Sequence, residues 1–305
     1  MPTATSAELP HRPVGVLGLG PLGLALLGRL QAQGIAFVAY DPDVNARQEL
    51  AADAAQHLAP ALFDFGDAVD VVVSTLTDAH ALKVALLGDT DRPGFGASLR
   101  NGSNIVHFGA GPHDVIVKLT GVLGSRGIGL VDVFTCNGIA AAIEGRMELL
   151  VGGYGEIIDR VRPVLSLLGS VERIGQTGAA TGLAALRGYV RAARLIALSE
   201  AMLIGSQAGI SRDVMARVFD GTIATGPQGH RIAGMTPSKL RPAPLLIDTY
   251  RAVADAVEFG ERIGLSGDGM ALARDLLADA LETTGDAADE TALLCHFSEV
   301  AADAS

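Results

Sequence analysis

The stretch Val14–Gly23 reads Val-Gly-Val-Leu-Gly-Leu-Gly-Pro-Leu-Gly, and an apolar run with helical character follows it up to Gln33. A second apolar run, Ile35–Tyr40, comes next and ends at Asp41. This order is typical of a unit that binds a dinucleotide: an apolar strand, a Gly-x-Gly-x-x-Gly turn, a helix, a second strand and a carboxylate. The stretch therefore predicts a Rossmann-type domain near the start of the chain.

Each glycine of this turn has a physical task at a dinucleotide. Gly18 allows the tight turn after the strand, and Gly20 lets the backbone approach the pyrophosphate. Gly23 lets the helix lie close to the strand, and the free N–H groups at the start of that helix face the phosphates. Asp41 lies 21 residues after Gly20, where a carboxylate accepts hydrogen bonds from the ribose hydroxyls.

Apolar strands alternate with helices through the first half of the chain, which predicts an α/β fold with a doubly wound parallel sheet. The predicted strands are 14–18, 36–40, 70–75, 104–108, 128–133 and 146–152. The predicted helices between and after them are 22–33, 43–53, 78–86, 112–125 and 154–167. Strand signals then stop, and helices are predicted at 179–208, 211–219, 243–263, 266–282 and 289–302. We expect a disordered leader (1–13), a Rossmann domain (14–175) and an all-helical C-terminal domain for substrate binding and dimerisation (176–305).

Composition excludes several classes of function. The net charge of −11 would repel the phosphates of a nucleic acid, and no tryptophan offers a platform for base stacking. No apolar run is long enough to span a bilayer, so no membrane partner is expected. The only cysteines, Cys136 and Cys295, are too few for a disulfide framework, which favours the cytoplasm. No His, Cys and Asp residues have metal-ligand spacing, so no metal is expected.

The Ala-rich helix 179–208 bears on the oligomeric state. A long helix with so many apolar residues is expected to bury part of its surface against a partner chain, which predicts a homodimer. The alternative is that every apolar face closes inside one subunit.

From Val14 onward the chain resembles the β-hydroxyacid dehydrogenase and 6-phosphogluconate dehydrogenase superfamily, which includes the imine reductases. The resemblance rests on the glycine-rich turn and on motifs that recur in the same order and spacing. These motifs are Val71–Asp78, Gly102–His107, Asp132–Gly138, Glu144-Gly145, Leu149–Gly153, Gly264-Leu265 and Gly285–Asp289. The resemblance implies hydride transfer between a nicotinamide and a small substrate at a cleft between the two domains, with the protein supplying position, charge and a proton.

The choice of cofactor is argued from charge. Asp41 is negative where the 2′-phosphate of NADP would lie, so repulsion favours NAD. NADP-using relatives usually show Asn-Arg-Ser or Asn-Arg-Thr here, whereas Arg47, one helical turn further on, is the residue that could reach a phosphate instead. Thr75 and Thr77 are the expected ribose contacts, although threonines at strand ends also serve turns alone. The predicted cofactor-binding residues are Gly18, Leu19, Gly20, Pro21, Leu22, Gly23, Asp41, Thr75, Leu76 and Thr77.

The loop after the fifth predicted strand resembles the family's substrate loop. Asp132–Gly138 matches the family's Asp-Ala-Pro-Val-Ser-Gly-Gly, whose serine and backbone amides hold a substrate carboxylate. Here Cys136 replaces the serine, Asn137 replaces the first glycine and Gly138 is kept, so these three are the predicted substrate-binding residues. Cys136 as a nucleophile is the alternative to a passive wall residue, but no base lies near it in the sequence.

The family's proton donor is missing. Its helix reads Gly-x-x-x-Lys-x-x-x-Asn, and one alignment puts that Lys at Ala184 and that Asn at Gly188. An alignment on the imine reductases puts their donor at Gly188 as well, so neither register recovers an ionisable group. Three alternatives follow: Arg187, Tyr189 or His230 supplies the proton, an already protonated imine needs no acid, or the chain binds nucleotide without turnover.

Three arginines of this helix share one face, because Arg187, Arg191 and Arg194 fall at i, i+4 and i+7. Guanidinium groups so placed can hold an anion bidentately, which makes Arg191 a predicted substrate-binding residue. The alternative is a solvated face or a face of ion pairs between subunits. The sequence as a whole predicts an NAD(P)-dependent oxidoreductase for a small carbonyl, hydroxyacid or imine, with an anionic substrate as one option.

Overall fold

The computed structural model describes residues 10, 12–48, 56–77, 79–88, 93–219, 244–265, 267–293 and 296–297. The chain divides into two compact units, Met1–Leu183 and Ala184–Ser305. The predicted leader lies mostly outside the described residues. Within it, the Arg12 guanidinium donates to the Asp67 carbonyl at 2.6 Å and contacts the Asp70 carboxylate at 3.3 Å.

A seven-stranded sheet forms the centre of the first unit, in the order β2-β1-β3-β4-β5-β6-β7. The strands are β1 (Val14–Leu17), β2 (Phe37–Tyr40), β3 (Val71–Ser74), β4 (Asn104–His107), β5 (Gly129–Thr135), β6 (Met147–Gly152) and β7 (Gly169–Gly175). The order reverses beside β1, as expected for a doubly wound sheet. The predicted Rossmann-type fold is confirmed.

Two features of the sheet correct the sequence-based prediction. The pair β5–β6 is antiparallel, with Asp132 opposite Gly152, whereas the other neighbouring pairs are parallel. The strand β7 was not predicted, because it is an edge strand in which no residue is buried. An exposed edge strand lacks the apolar run that marks a buried strand.

Helices cover both faces of this sheet. They are α1 (Pro21–Ala32), α2 (Val44–Gln48), α3 (Leu62–Ala68), α4 (Ala79–Leu87), α5 (His113–Gly124), α6 (Ile139–Glu144) and α7 (Gly155–Leu165), with a 3₁₀ turn at Phe95–Ala97. Side chains alternate along β3, so that Val71 and Val73 face one buried cluster and Val72 faces the other. Burial on both faces explains the continuous apolar runs of the sequence.

The described part of the second unit is helical. Helix α8 (Ala179–Gln207) begins in the first unit and continues into the second, where α9 (Arg212–Phe219), α10 (Leu246–Arg262) and α11 (Asp268–Thr284) follow. Their core contains Leu195, Met202, Val253 and Leu277, among others. Among the described residues, no helix is long and apolar enough to cross a membrane. Most of the predicted last helix, 289–302, lies outside the described residues.

Candidate active site

A cavity of about 650 Å³ opens at the carboxyl ends of β1, β2 and β3. Ligands of open α/β sheets bind at this edge, where the strand order reverses. The cavity is lined by Gly18, Leu19, Gly20, Pro21, Leu24, Asp41, Asp43, Ala46, Thr75, Leu76, Thr77 and Ala81. The structure thus brings together all the predicted cofactor-binding residues except Leu22 and Gly23, which pack behind the turn.

The backbone of the turn requires glycine at particular positions. Gly18 has a φ of +101°, a conformation that other residues rarely adopt. A Cβ on Gly23 would lie 2.0 Å from the Gly18 carbonyl oxygen, so only glycine permits this approach. A Cβ on Gly20 would meet nothing within 4 Å, and Gly20 lines the cavity directly before α1. Open space beside a helix N-terminus fits the pyrophosphate of a dinucleotide.

The Asp41 carboxylate is bound to the turn itself. Its Oδ2 accepts a hydrogen bond from the Leu19 N–H at 2.6 Å, and its Oδ1 accepts one from the Asp43 N–H at 2.8 Å. A carboxylate has about four lone-pair positions, so acceptor capacity remains for ribose hydroxyls. The sequence predicted that Asp41 binds the ribose, but it did not predict the contact of Asp41 with the turn.

Arg47 is engaged beside Asp41. Its Nη1 donates to the Asp41 carbonyl oxygen at 2.6 Å, and its guanidinium carbon lies 5.0 Å from the centre of the Tyr40 ring. No lysine or arginine is among the described residues that line the cavity. The charged groups that line it are therefore the carboxylates of Asp41 and Asp43.

Thr75 supports the turn from the neighbouring strand. Its hydroxyl donates to the Gly18 carbonyl at 2.9 Å, and its N–H donates to the Leu17 carbonyl at 2.7 Å. Thr75 therefore stabilises the turn, and its side chain also lines the cavity. Thr77 is exposed at the same edge.

The loop after β5 holds the predicted substrate-binding residues. Cys136 is exposed, and its N–H approaches the Glu148 carbonyl at 3.4 Å. The Asn137 amide nitrogen lies 3.4 Å from the Arg146 carbonyl, and Gly138 precedes α6. Because β5 runs parallel to β4, the loop lies at the same edge of the sheet as the cofactor cavity.

Asp132, within β5, anchors the start of α8. Its Oδ1 accepts the Gly178 N–H at 2.7 Å, and its Oδ2 accepts the Thr181 N–H at 2.7 Å and the Thr181 hydroxyl at 2.8 Å. The carboxyl is fully buried, and this burial raises its pKa more than the three donors lower it. Sequence reasoning gave Asp132 no role, although a carboxylate inside an apolar strand signals a buried partner.

Gly188, one of the two positions that the resemblance aligns with a proton donor, has no space for a side chain. A Cβ on Gly188 would lie 2.5 Å from the Cβ of Ala252 on α10, so α8 and α10 meet at this position. Tyr189 is half-buried, and its hydroxyl would lie 2.9 Å from a Cβ on Gly269. Arg187 is exposed, and His230 lies outside the described residues.

Arg191 is part of a polar cluster inside the second unit. Its guanidinium pairs with the buried Glu290 carboxylate and donates to the Thr249 hydroxyl at 2.6 Å. Arg187 and Arg194 are exposed on the same helix. Arg191 thus pairs inside its own chain with a buried carboxylate, a contact that the sequence did not predict. The described residues contain no group of His, Cys, Asp or Glu side chains that could hold a metal ion.

Comparison with known proteins agrees with this geometry. Residues 13–178 match the family described as the NAD binding domain of 6-phosphogluconate dehydrogenase. The 2-(hydroxymethyl)glutarate dehydrogenase of Eubacterium barkeri is 23% identical over 68% of this chain and 67% of its own length. A probable 3-hydroxyisobutyrate dehydrogenase-like protein of Arabidopsis thaliana is 24% identical over 86% of this chain and 80% of its own length.

Solved structures share the fold over almost the whole chain. The 3-hydroxyisobutyrate dehydrogenase of Mycobacterium tuberculosis superposes with a TM-score of 0.75 at 19% identity, covering 94% of this chain and 99% of its own. An imine reductase from Myxococcus stipitatus, solved with NAD⁺, gives a TM-score of 0.60 at 19% identity, with the same coverage. The chain therefore belongs to the 6-phosphogluconate dehydrogenase and 3-hydroxyisobutyrate dehydrogenase-like family of NAD(P)-dependent oxidoreductases, as the sequence motifs predicted.

Proposed function

We propose that this oxidoreductase uses NAD in preference to NADP and transfers hydride between the nicotinamide and a small carbonyl, hydroxyacid or imine. The observation that carries the proposal is the cavity at the glycine-rich turn. Asp41 and Asp43 line it, and no cationic side chain is among its described lining residues. A 2′-phosphate would meet two carboxylates in the cavity lining, and Arg47 beside the cavity is already bound to the Asp41 carbonyl, which favours the unphosphorylated ribose.

The chain's own residues supply the cofactor site. Gly20 leaves the backbone open to the pyrophosphate, and Asp41 retains acceptor capacity for the ribose. When bound, the nicotinamide supplies the hydride, and the protein holds it beside the substrate. The relatives support this reading, since one is named an NAD-dependent L-serine dehydrogenase, from Pseudomonas aeruginosa.

We propose a small anion as the substrate, held by the loop Cys136, Asn137 and Gly138. Several relatives are named for small hydroxyacids, including the L-threonate dehydrogenase of Haemophilus influenzae. The Cys136 side chain offers a weaker donor than the family's serine. Because the Asn137 amide faces the Arg146 carbonyl, backbone N–H groups of the loop would carry most of the anion binding.

The proton donor is assigned among Tyr189, His230 and Arg187. Gly188 lacks an ionisable group, and the Cβ of Ala252 blocks the space beside it. Tyr189 has a hydroxyl and His230 has an imidazole, and both groups suit acid–base work. The ion pair with Glu290 favours a structural role for Arg191. The binding of substrate by Arg191 stays a prediction.

A turnover panel tests the proposal. The purified chain is assayed with NADH against small aldehydes, ketoacids and imines, and with NAD⁺ against small hydroxyacids. Tyr189→Phe, His230→Ala and Arg187→Ala are compared with Arg194→Ala, an exposed arginine of the same helix that serves as control. The true donor's variant should lose about 100-fold or more in kcat. Full kcat in all three variants would remove these residues as donors.

A second candidate is a nucleotide-binding protein without turnover. It is favoured by Gly188, because the α8–α10 crossing leaves no room for the family's polar side chain at that position.

A third candidate is imine reduction, in which an already protonated C=N bond needs no acid. Cofactor binding without hydride transfer to any substrate of the panel would support the second candidate, and turnover of imines alone would support the third.

We also propose a cytoplasmic homodimer. Large apolar side chains of the second unit are exposed, including Val190 (54%), Ile204 (68%) and Val218 (59%). Exposed apolar side chains of this kind mark association surfaces when they are contiguous. Light scattering after gel filtration should give twice the chain mass of 31.3 kDa. A monomer at micromolar concentration would contradict the dimer.

A further inference from the structure

We infer that the buried His107 is a positioning residue for the nicotinamide half of the cofactor site, and that Gly109 is its necessary partner. The imidazole supports the loops that form one wall of the cavity, and only a glycine leaves room for it at position 109. The inference rests on the proposed function, because it assumes that a nicotinamide dinucleotide occupies the cavity at the glycine-rich turn.

His107 is a polar side chain buried in the middle of the sheet. It is the last residue of β4 and lies opposite Ser74, the last residue of β3, and neither side chain is exposed. The His107 Nδ1 lies 3.3 Å from the Ser74 hydroxyl oxygen, within hydrogen-bond distance. A buried polar group is costly to leave without a partner, so the Ser74 contact holds this edge of the ring in place.

The other edge of the ring lies against the loop after β4. A Cβ on Gly109 would lie 2.1 Å from the His107 Nε2, 2.3 Å from its Cε1 and 3.0 Å from the Leu76 carbonyl oxygen. The backbone of Gly109 therefore covers this edge of the imidazole at close range. A larger residue at position 109 would push either the ring or the loop out of place.

The loops after β3 and β4 are hydrogen-bonded to each other beside this ring. The Phe108 N–H donates to the Ser74 carbonyl at 2.8 Å, and the Ala110 N–H donates to the Thr77 carbonyl at 3.2 Å. The loop after β3 supplies three lining residues of the cofactor cavity, Thr75, Leu76 and Thr77. Because the two loops are joined, the position of the imidazole sets the position of this cavity wall.

The strand order assigns this wall to the nicotinamide half. A doubly wound sheet binds the two mononucleotides of a dinucleotide on opposite sides of the point where the strand order reverses. Here the reversal lies beside β1, with β2 on one side and β3 and β4 on the other. The glycine-rich turn and Asp41 serve the pyrophosphate and the adenosine ribose, so the loops after β3 and β4 serve the nicotinamide.

A double-mutant cycle with Gly109→Ala and His107→Asn tests the pair. Asparagine keeps a polar group near the position of Nδ1 and removes the ring edge that faces Gly109. Gly109→Ala alone should raise the Kd of NADH at least about tenfold, because its Cβ would strike that edge. In the His107→Asn background the same substitution should change this Kd by less than about threefold. Equal effects in the two backgrounds would overturn the pairing.

Binding of ADP separates positioning of the nicotinamide from a general loss of structure. ADP contains the adenosine and the pyrophosphate but no nicotinamide, so it needs only the half of the site at the glycine-rich turn. In calorimetric titrations, His107→Asn should raise the Kd of NADH at least about fivefold and keep that of ADP within about twofold. Gly121→Ala in α5, whose Cβ would meet nothing within 4 Å, is the control and should change neither Kd. Parallel losses for both ligands, or unchanged NADH binding in His107→Asn, would overturn the positioning role.

Urea unfolding in the absence of ligand separates this inference from the proposed function. The added Cβ of Gly109→Ala strikes the ring whether or not a cofactor is bound, so the substitution should lower the urea midpoint more in the wild-type background than in His107→Asn. Equal midpoint shifts in the two backgrounds would overturn the pairing. If the wild type bound neither NADH nor ADP, the proposed function would fail, and the unfolding cycle would still decide whether His107 and Gly109 are matched.

Discussion

Two glycines let a helix lie unusually close to its neighbour, one in each unit. In the first unit the close contact shapes a cavity, and in the second it removes space for a side chain. In the first unit, Gly23 lets α1 approach the Gly18 carbonyl and so shapes the turn beside the cofactor cavity. In the second unit, Gly188 lets α8 meet Ala252 of α10 and closes the position at which the resemblance predicted a polar side chain. The first approach shapes a cavity suited to a nucleotide, whereas the second leaves no space for a side chain at Gly188.

The largest effect is expected at the turn, for Gly23→Ala. The added Cβ would lie 2.0 Å from the Gly18 oxygen, which is backbone and cannot rotate away. We expect a loss of about 3 kcal/mol or more in the free energy of unfolding, together with loss of NADH binding. Urea unfolding and NADH fluorescence titration measure the two effects.

Two alanine variants of the same segment sharpen that test. Gly28→Ala, elsewhere in α1, meets nothing within 4 Å and should stabilise the protein by about 0.5–1 kcal/mol. Gly20→Ala also meets nothing, so stability should change by less than about 0.5 kcal/mol. Its Cβ would enter the cavity, however, and should weaken NADH binding at least about tenfold. Unchanged NADH affinity in Gly20→Ala would contradict the pyrophosphate assignment.

The next largest effect is expected for Asp132→Ala. The substitution leaves the Gly178 N–H, the Thr181 N–H and the Thr181 hydroxyl without their acceptor. Unsatisfied buried donors cost about 1–3 kcal/mol each at most, so the total loss should be about 3–5 kcal/mol. Thr181→Val, which removes only the hydroxyl, should cost about 1 kcal/mol in the same urea unfolding experiment. Equal losses in the two variants would show that the backbone donors find other partners.

A smaller effect is expected for Gly188→Ala. Its Cβ would lie 2.5 Å from the Cβ of Ala252, so the helices must separate, at a cost of about 1–3 kcal/mol. Gly28→Ala, in α1, is the control, because its Cβ would meet nothing within 4 Å. Thermal unfolding should rank Gly188→Ala as the less stable variant. The reverse order would show that the α8–α10 contact is looser than the structure describes.

The smallest effect is expected in the pH dependence of stability. Burial raises the pKa of Asp132 above its ordinary 3.8, so the folded state holds this proton more tightly than the unfolded chain. Stability that depends on Asp132 is therefore present at low pH and is lost as the pH rises through its folded pKa. Wild type should lose stability relative to Asp132→Asn over that interval, measured by urea unfolding at several pH values. A relative gain would mean that the three donors lower the pKa more than burial raises it.

The sequence predicted most of the fold because buried parallel strands and the glycine-rich turn leave strong local patterns. It failed at β7, where an exposed edge strand has no apolar run, and at the antiparallel β6, whose direction is set by its connections. The predicted residues of the cofactor cavity lie at or just after the ends of strands, where a local pattern marks them. The other lining residues, which lie on or before helices, were not predicted: Leu24, Asp43, Ala46 and Ala81. The Asp41–Leu19 contact and the Gly188–Ala252 approach join distant segments, so no local pattern reveals them.

Side-by-side titration of the wild type with NADH and NADPH tests the central claim most directly. The nicotinamide's own fluorescence reports binding without interference, because the protein contains no tryptophan. Two carboxylates and no cation among the described lining residues predict that NADH binds at least about tenfold more tightly than NADPH. Tighter binding of NADPH, or binding of neither, would contradict the account.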